Sequence, residues 1–136
     1  MRIMVDTNVL ISAILFPRST MNYLIEKVIT NHTLVLCSFI LEEFNELFAR
    51  KFYDKIPFLN EFLKNFSYEL VCNPEKIDTD YYHYIRDISD LPILVSAINS
   101  KVDMIITGDK DFLSINTDDK NIHLIMSPRE FLDNFS

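Results

Sequence analysis

The chain has 136 residues, 49% of them hydrophobic and 24% charged, the size and balance of one globular domain spanning residues 1–136 with a core of its own. Its single glycine, Gly108, excludes the glycine-rich nucleotide loops (G-x-G-x-x-G and Walker A) and argues against a many-turned β sandwich or barrel. Twenty Asp and Glu against 13 Lys and Arg give a net charge of −7: no basic nucleic-acid footprint exists at whole-chain level, and any contact with nucleic acid needs a cation, a local basic strip or a basic partner.

Taken along the chain, Ile3-Met4-Val5 reads as a short apolar strand closed by Asp6. Asn8 to Phe16 has the spacing of a helix, stopped near Pro17. Ser19 and Thr20 can cap a second helix running to Asn31. Thr33 to Cys37 is a buried-strand run, and Ser38 can cap a helix through about Lys51 with Leu41, Phe44, Leu47 and Phe48 inward. Phe58 to Phe66, after Pro57, is amphipathic; Ser67 to Cys72 is strand-like. Thr79 to Arg86 is read as a short helix and Asp90 to Lys101 as a longer one, with Pro92 tolerated in its first turn. Met104 to Thr107 and Ile122 to Met126 are apolar strands. Ser127-Pro128-Arg129-Glu130 fits a capping box opening a C-terminal helix.

Strands alternating with helices, each strand a continuous apolar run, predict a three-layer α/β/α fold with a central parallel sheet. Cys37 and Cys72 lie in such runs and are expected to be buried core thiols rather than a disulfide. The three histidines are scattered and no C-x-x-C exists, which argues against zinc. No apolar run approaches the about 20 residues of a membrane span. The opening MRIMVDTNVLISAILF carries Asp6 within its apolar stretch and no small-residue cleavage signature, so a cytoplasmic protein without a membrane partner is expected.

In parallel sheets, ligands bind beyond the carboxyl ends of the strands. Acids collect there in this sequence: Asp6 after the first strand, Glu42 and Glu43 on the helix after Cys37, Asp87 and Asp90 opening a helix, and Asp109 and Asp111 around Gly108. Each alone has an ordinary role as a helix cap, solvated helix face or turn residue. Together they suit a hard cation, Mg²⁺ or Mn²⁺, because clustered carboxylates repel one another unless a cation sits among them. Metal-assisted phosphoryl transfer is the chemistry that uses such a site.

At these residues the sequence resembles a known family. MRIMVDTNVLISAILFPRS looks like the opening of PIN-domain nucleases, RDISDLPILVSAINSKVDMIITGDKDF like their closing acidic motif, and SPREFLDNF like their terminal helix. The group it most resembles is the toxin component of toxin–antitoxin systems, related to VapC ribonucleases. The resemblance implies an Mg²⁺- or Mn²⁺-dependent endoribonuclease, with Asp6, Glu43, Asp90 and Asp109 catalytic, and Asp6, Asp90, Asp109 and Asp111 at the metal. It also implies that Asn8 and Thr107 hold carboxylates by hydrogen bonds, and that an antitoxin is the protein partner. Lys110 and Arg18 are the nearest cations for an RNA substrate. The Arg50-to-Lys55 strip, with Phe52 and Tyr53, reads equally as a stacking surface or as a helix terminus with a core aromatic. Ala13 to Phe16 and Phe58-Leu59 read chiefly as core, with a homodimer or antitoxin groove as the alternative. Two rival functions share the composition: a degenerate PIN domain that only binds RNA or protein, and a phospho-receiver domain with an acidic Mg²⁺ pocket. The receiver needs an acceptor Asp ending a middle strand, whereas the second and third strands end in Cys37 and Cys72.

Overall fold

The computed structural model describes residues 1–72, 91–113 and 124–135. The expected helix over 79–86, the acids Asp87 and Asp90, and the start of the last expected strand lie outside the described residues. Five strands, β1 (Arg2–Val5), β2 (Thr33–Cys37), β3 (Glu69–Val71), β4 (Met104–Ile106) and β5 (Leu124–Met126), form one sheet in the order β3-β2-β1-β4-β5. All four pairings are parallel. Ile3 to Val5, Leu34 to Cys37 and Met104 to Ile106 are all buried, as expected of strands covered on both faces.

The connecting helices are α1 (Thr7–Leu15), α2 (Thr20–Asn31), α3 (Ser38–Arg50), α4 (Ile56–Asn65), α5 (Leu91–Asn99), α6 (Lys110–Leu113) and α7 (Pro128–Phe135). From β1 the chain steps outward to β2 and β3, and α1 packs on α2, α3 and α4. Strands β2 and β3 lie on one side of β1, and β4 and β5 lie on the other. Strand order therefore reverses at β1 and β4, and a crevice opens at such a switch point beyond the strands' carboxyl ends.

Local chemistry explains most boundaries. Ser19 Oγ accepts from the Asn22 N–H at 3.2 Å and starts α2. The capping box before α7 forms reciprocally: the Glu130 N–H donates to Ser127 Oγ at 3.2 Å, and the Ser127 N–H to Glu130 Oε1 at 3.4 Å. Helix α5 ends in a Schellman turn, with Val102 N–H donating to Ala97 O and Lys101 N–H to Ile98 O, both at 3.2 Å. Arg2 ties the opposite end of the sheet together, pairing with Glu69 and donating to the Ser100 carbonyl.

Three expectations are corrected. Ser38 is the first residue of α3, not its cap; the cap position falls on Cys37, which offers no capping bond. Cys72 is exposed while Cys37 is buried, because Cys72 follows β3 at the sheet edge, whereas β2 has neighbours on both sides. Phe58 is 36% exposed, and Leu59 and Phe62 supply the buried face of α4 instead.

Candidate active site

The parallel register sets Val5 beside Ile106, and the Asp6 N–H continues the ladder by donating to Ile106 O at 2.9 Å. Asp6 and Thr107 thus leave the sheet side by side. Thr107 Oγ1 donates to Asp6 Oδ2 at 3.0 Å and accepts from the Asp109 N–H at 3.0 Å. One fully buried hydroxyl so links the carboxylate at the end of β1 to the turn that presents Asp109.

Asp6 is only 6% exposed. Burial pushes its carboxyl above the ordinary carboxylate range, and the Asp109 charge pushes the same way. The Thr107 hydroxyl and the first amides of α1, those of Thr7 and Asn8, pull it back. A carboxylate held in this tension is stabilised by a positive charge placed beside it.

Glu43 reaches the same rim from α3. Its Oε1 accepts from Thr7 Oγ1 at 3.1 Å, and it is half-buried, whereas Glu42 is exposed. The geometry therefore turns Glu43 toward the site. Asp6, Asn8, Gly108 and Asp109 line a cleft of about 390 Å³, closed on its other side by Val9, Ser12, Met21 and Pro128. Asn8 is exposed on the cleft wall. Asp111 falls within α6. Lys110 is exposed directly after Asp109; Arg18 is exposed in the α1–α2 connection and does not line the cleft.

The Arg50-to-Lys55 strip resolves in favour of structure at two positions. Phe52 packs edge-on against Phe48 with centroids 5.6 Å apart, and Arg50 pairs with Glu46 at 2.8 Å. Tyr53 remains 76% exposed. Thr7, Ser12, Met21 and Pro128 were not among the site residues expected from the sequence. For Thr7 a signal existed: a hydroxyl between Asp6 and Asn8 at a helix start is either a cap or a ligand for a neighbour. Met21 and Pro128 come from distant elements and carry no local signal.

A fit for a divalent cation rests on donor chemistry. Asp6, Asp109 and Glu43 offer only hard oxygen atoms, and Asp6 is a buried carboxylate raised by burial and by a like charge. Among the described residues no three His, Cys, Asp or Glu side chains stand close enough together to hold a metal. Asp6 and Asp109 are the two acids among the residues that line the cleft.

An acidic cleft at the switch point of a five-stranded parallel sheet defines the class. The chain belongs to the PIN domain family, whose model matches residues 2–111. It is 30% identical to the uncharacterized protein MJ1680 of Methanocaldococcus jannaschii, over 98% of this chain and 91% of that one. Its fold is similar to a chain in the crystal structure of VapBC2 from Rickettsia felis bound to a DNA fragment from their promoter. That match has a TM-score of 0.68 at 23% identity, covering 93% of this chain and 98% of that chain.

Proposed function

We propose that this protein is a cytoplasmic, metal-dependent endoribonuclease acting as the toxin of a toxin–antitoxin pair. The observation that carries the reading is the buried Asp6 carboxylate joined through Thr107 to Asp109 in one open cleft. Membership of the PIN domain family and the likeness to a chain of a VapBC2 structure support it.

Asp6 and Asp109 would hold Mg²⁺ or Mn²⁺, with Asp90 and Asp111 assigned to it by their place in the acidic motif. When bound, such an ion polarises the phosphate, activates water as hydroxide and steadies the leaving oxygen. Thr107 keeps Asp6 oriented and favours its charged form. Glu43, steered by Thr7, positions the attacking water on the far side of phosphorus from the leaving oxygen. Lys110 meets a phosphate at the cleft mouth, and Arg18 contacts the strand farther out. Cleavage leaves 5′-phosphate and 3′-hydroxyl ends.

For the antitoxin, a second surface is available. A groove of about 290 Å³ between α1, α2 and α4 is lined by Ile14, Phe58, Phe62 and Phe66, with Glu26 and Glu61 beside them. Phe16, adjacent in the chain, is 62% exposed. Such a groove fits an amphipathic helix with basic flanks. A homodimer is the other occupant, and light-scattering mass separates the two.

The phospho-receiver alternative loses ground on topology. Its strand order is 2-1-3-4-5, whereas this sheet runs 3-2-1-4-5. The degenerate-PIN alternative is tested with the nuclease itself. Single-stranded RNA is incubated with the protein in Mn²⁺, in chelator, and with Asp6→Asn. Cleavage in Mn²⁺ only, absent from the variant, is the expected result. RNA binding without cleavage in any of these conditions selects the degenerate reading.

A further inference from the structure

The cleft does not end at the carboxylates. From Asp6 and Asp109 it continues along α1 past Val9 and Ser12 to Met21 on α2 and Pro128 on α7. We propose that this extension is a subsite for one unpaired nucleobase of the RNA strand, adjacent to the phosphate at the acids. The inference rests on the nuclease reading for the identity of the strand.

Three features point to a base rather than to another phosphate. First, charge is confined to one end: Asp6 and Asp109 are acidic, while Val9, Ser12, Met21 and Pro128 are neutral. Second, the surfaces suit a flat π system. Val9 is 6% exposed and forms a fixed apolar wall, and Met21 offers a polarisable thioether that packs well against aromatic faces. Third, Asn8 and Ser12 stand one helical turn apart on the same face of α1, about 6 Å along its axis. An amide and a hydroxyl at that spacing can donate to and accept from a base edge. A paired base cannot present its face and its pairing edge together, so the subsite selects single-stranded RNA, whose bases splay out. The cleft's volume lies within the range of small-ligand pockets.

Two cations neighbour the lining residues in the chain. Lys110 follows Asp109, and Arg129 follows Pro128. The Arg129 side chain is 91% exposed, and its 3.9 Å contact with Asp133 is too solvated to hold it back from a substrate. Both cations are exposed and each is one residue from a lining residue, so they are the positive charge on hand for an anionic chain that binds this acidic protein locally.

The test uses the full chain and single-stranded RNA oligomers that differ only in carrying a base or an abasic ribose at one position. Cleavage at the adjoining linkage gives kcat and KM. Fluorescence anisotropy in chelator, where hydrolysis is blocked and every linkage keeps its charge, gives affinity for the same oligomers. Wild-type protein should favour the base-bearing strand by at least about tenfold, the scale set by small changes in an apolar pocket. Met21→Ala should erase most of that preference through KM, whereas Met21→Leu, which keeps the bulk, should retain it. Arg129→Ala should leave the preference intact and flatten the salt dependence of binding. Equal handling of base and abasic strands by the wild type, or equal weakening of both by Met21→Ala, overturns the subsite. Base-dependent binding without cleavage upholds the subsite and removes the nuclease reading. Cleavage without base discrimination does the reverse.

Discussion

Thr107 Oγ1 stands 3.0 Å from Asp6 Oδ2 across 101 residues of sequence, and the same oxygen takes the Asp109 N–H. A single hydroxyl therefore fixes both a carboxylate and the turn bearing its neighbour. Thr107→Val keeps the shape and removes both bonds. We expect a loss of about 1–3 kcal/mol at neutral pH, typical of a buried group left without its partner, read from the denaturant midpoint. The acid limb of the pH–rate profile should also move to higher pH, because the bond favours charged Asp6. An unmoved limb would separate Asp6 from the titration that controls activity.

Much of this arrangement was legible in the sequence, for identifiable reasons. Ile3 to Val5 and Met104 to Ile106 are short, continuous apolar runs, and each ends in a polar residue that breaks the pattern. That break marks where the chain leaves a buried sheet, so Asp6 and Asp109 could be placed on one rim. The capping box at Ser127 was equally readable, because its chemistry is local. Strand order was not: it depends on which apolar faces cover which, so nothing near Cys37 or Cys72 showed that β1 would be central and β3 an edge. The same limit hid the exposure of Cys72 and the convergence of Met21 and Pro128 on the cleft.

Thr7 is buried and donates to Glu43 at 3.1 Å. Removing a group that orients a functional carboxylate typically costs about 10- to 100-fold. Thr7→Val should therefore lower kcat within that range and change KM little, while Thr7→Ser, which keeps the hydroxyl, should recover most of the activity. Identical kinetics for the two variants would mean that Glu43 is oriented by something else.

Lys101, at the end of α5, has φ of 56°. It occupies the left-handed position of the Schellman turn, where a side chain carries a steric cost of about 1–2 kcal/mol. Lys101→Gly relieves that cost and adds freedom to the unfolded chain, leaving an expected net gain of about 0.5–1 kcal/mol. The urea midpoint should rise with an unchanged m value. A fall would mean that contacts of the Lys101 side chain outweigh the relief.

Asp6 carries the clearest link between stability and pH. Burial raises its carboxyl above the ordinary 3.8, and Asp109 adds to the rise. The native state thus keeps this proton to higher pH than the unfolded chain does. This residue's contribution to stability declines as pH climbs from 3.8 through the raised folded value, and stays low above it. Asp6→Asn removes the charge while its amide oxygen can still accept from Thr107. In chelator at neutral pH the variant should melt above the wild type, and the gap should narrow as the buffer is taken toward 3.8. Added Mg²⁺ should reverse the order, because an ion bound only by the native wild type stabilises it by mass action. If Asp6→Asn melts below the wild type in chelator, the buried charge is already compensated within the fold and the cleft has no unmet demand for a cation.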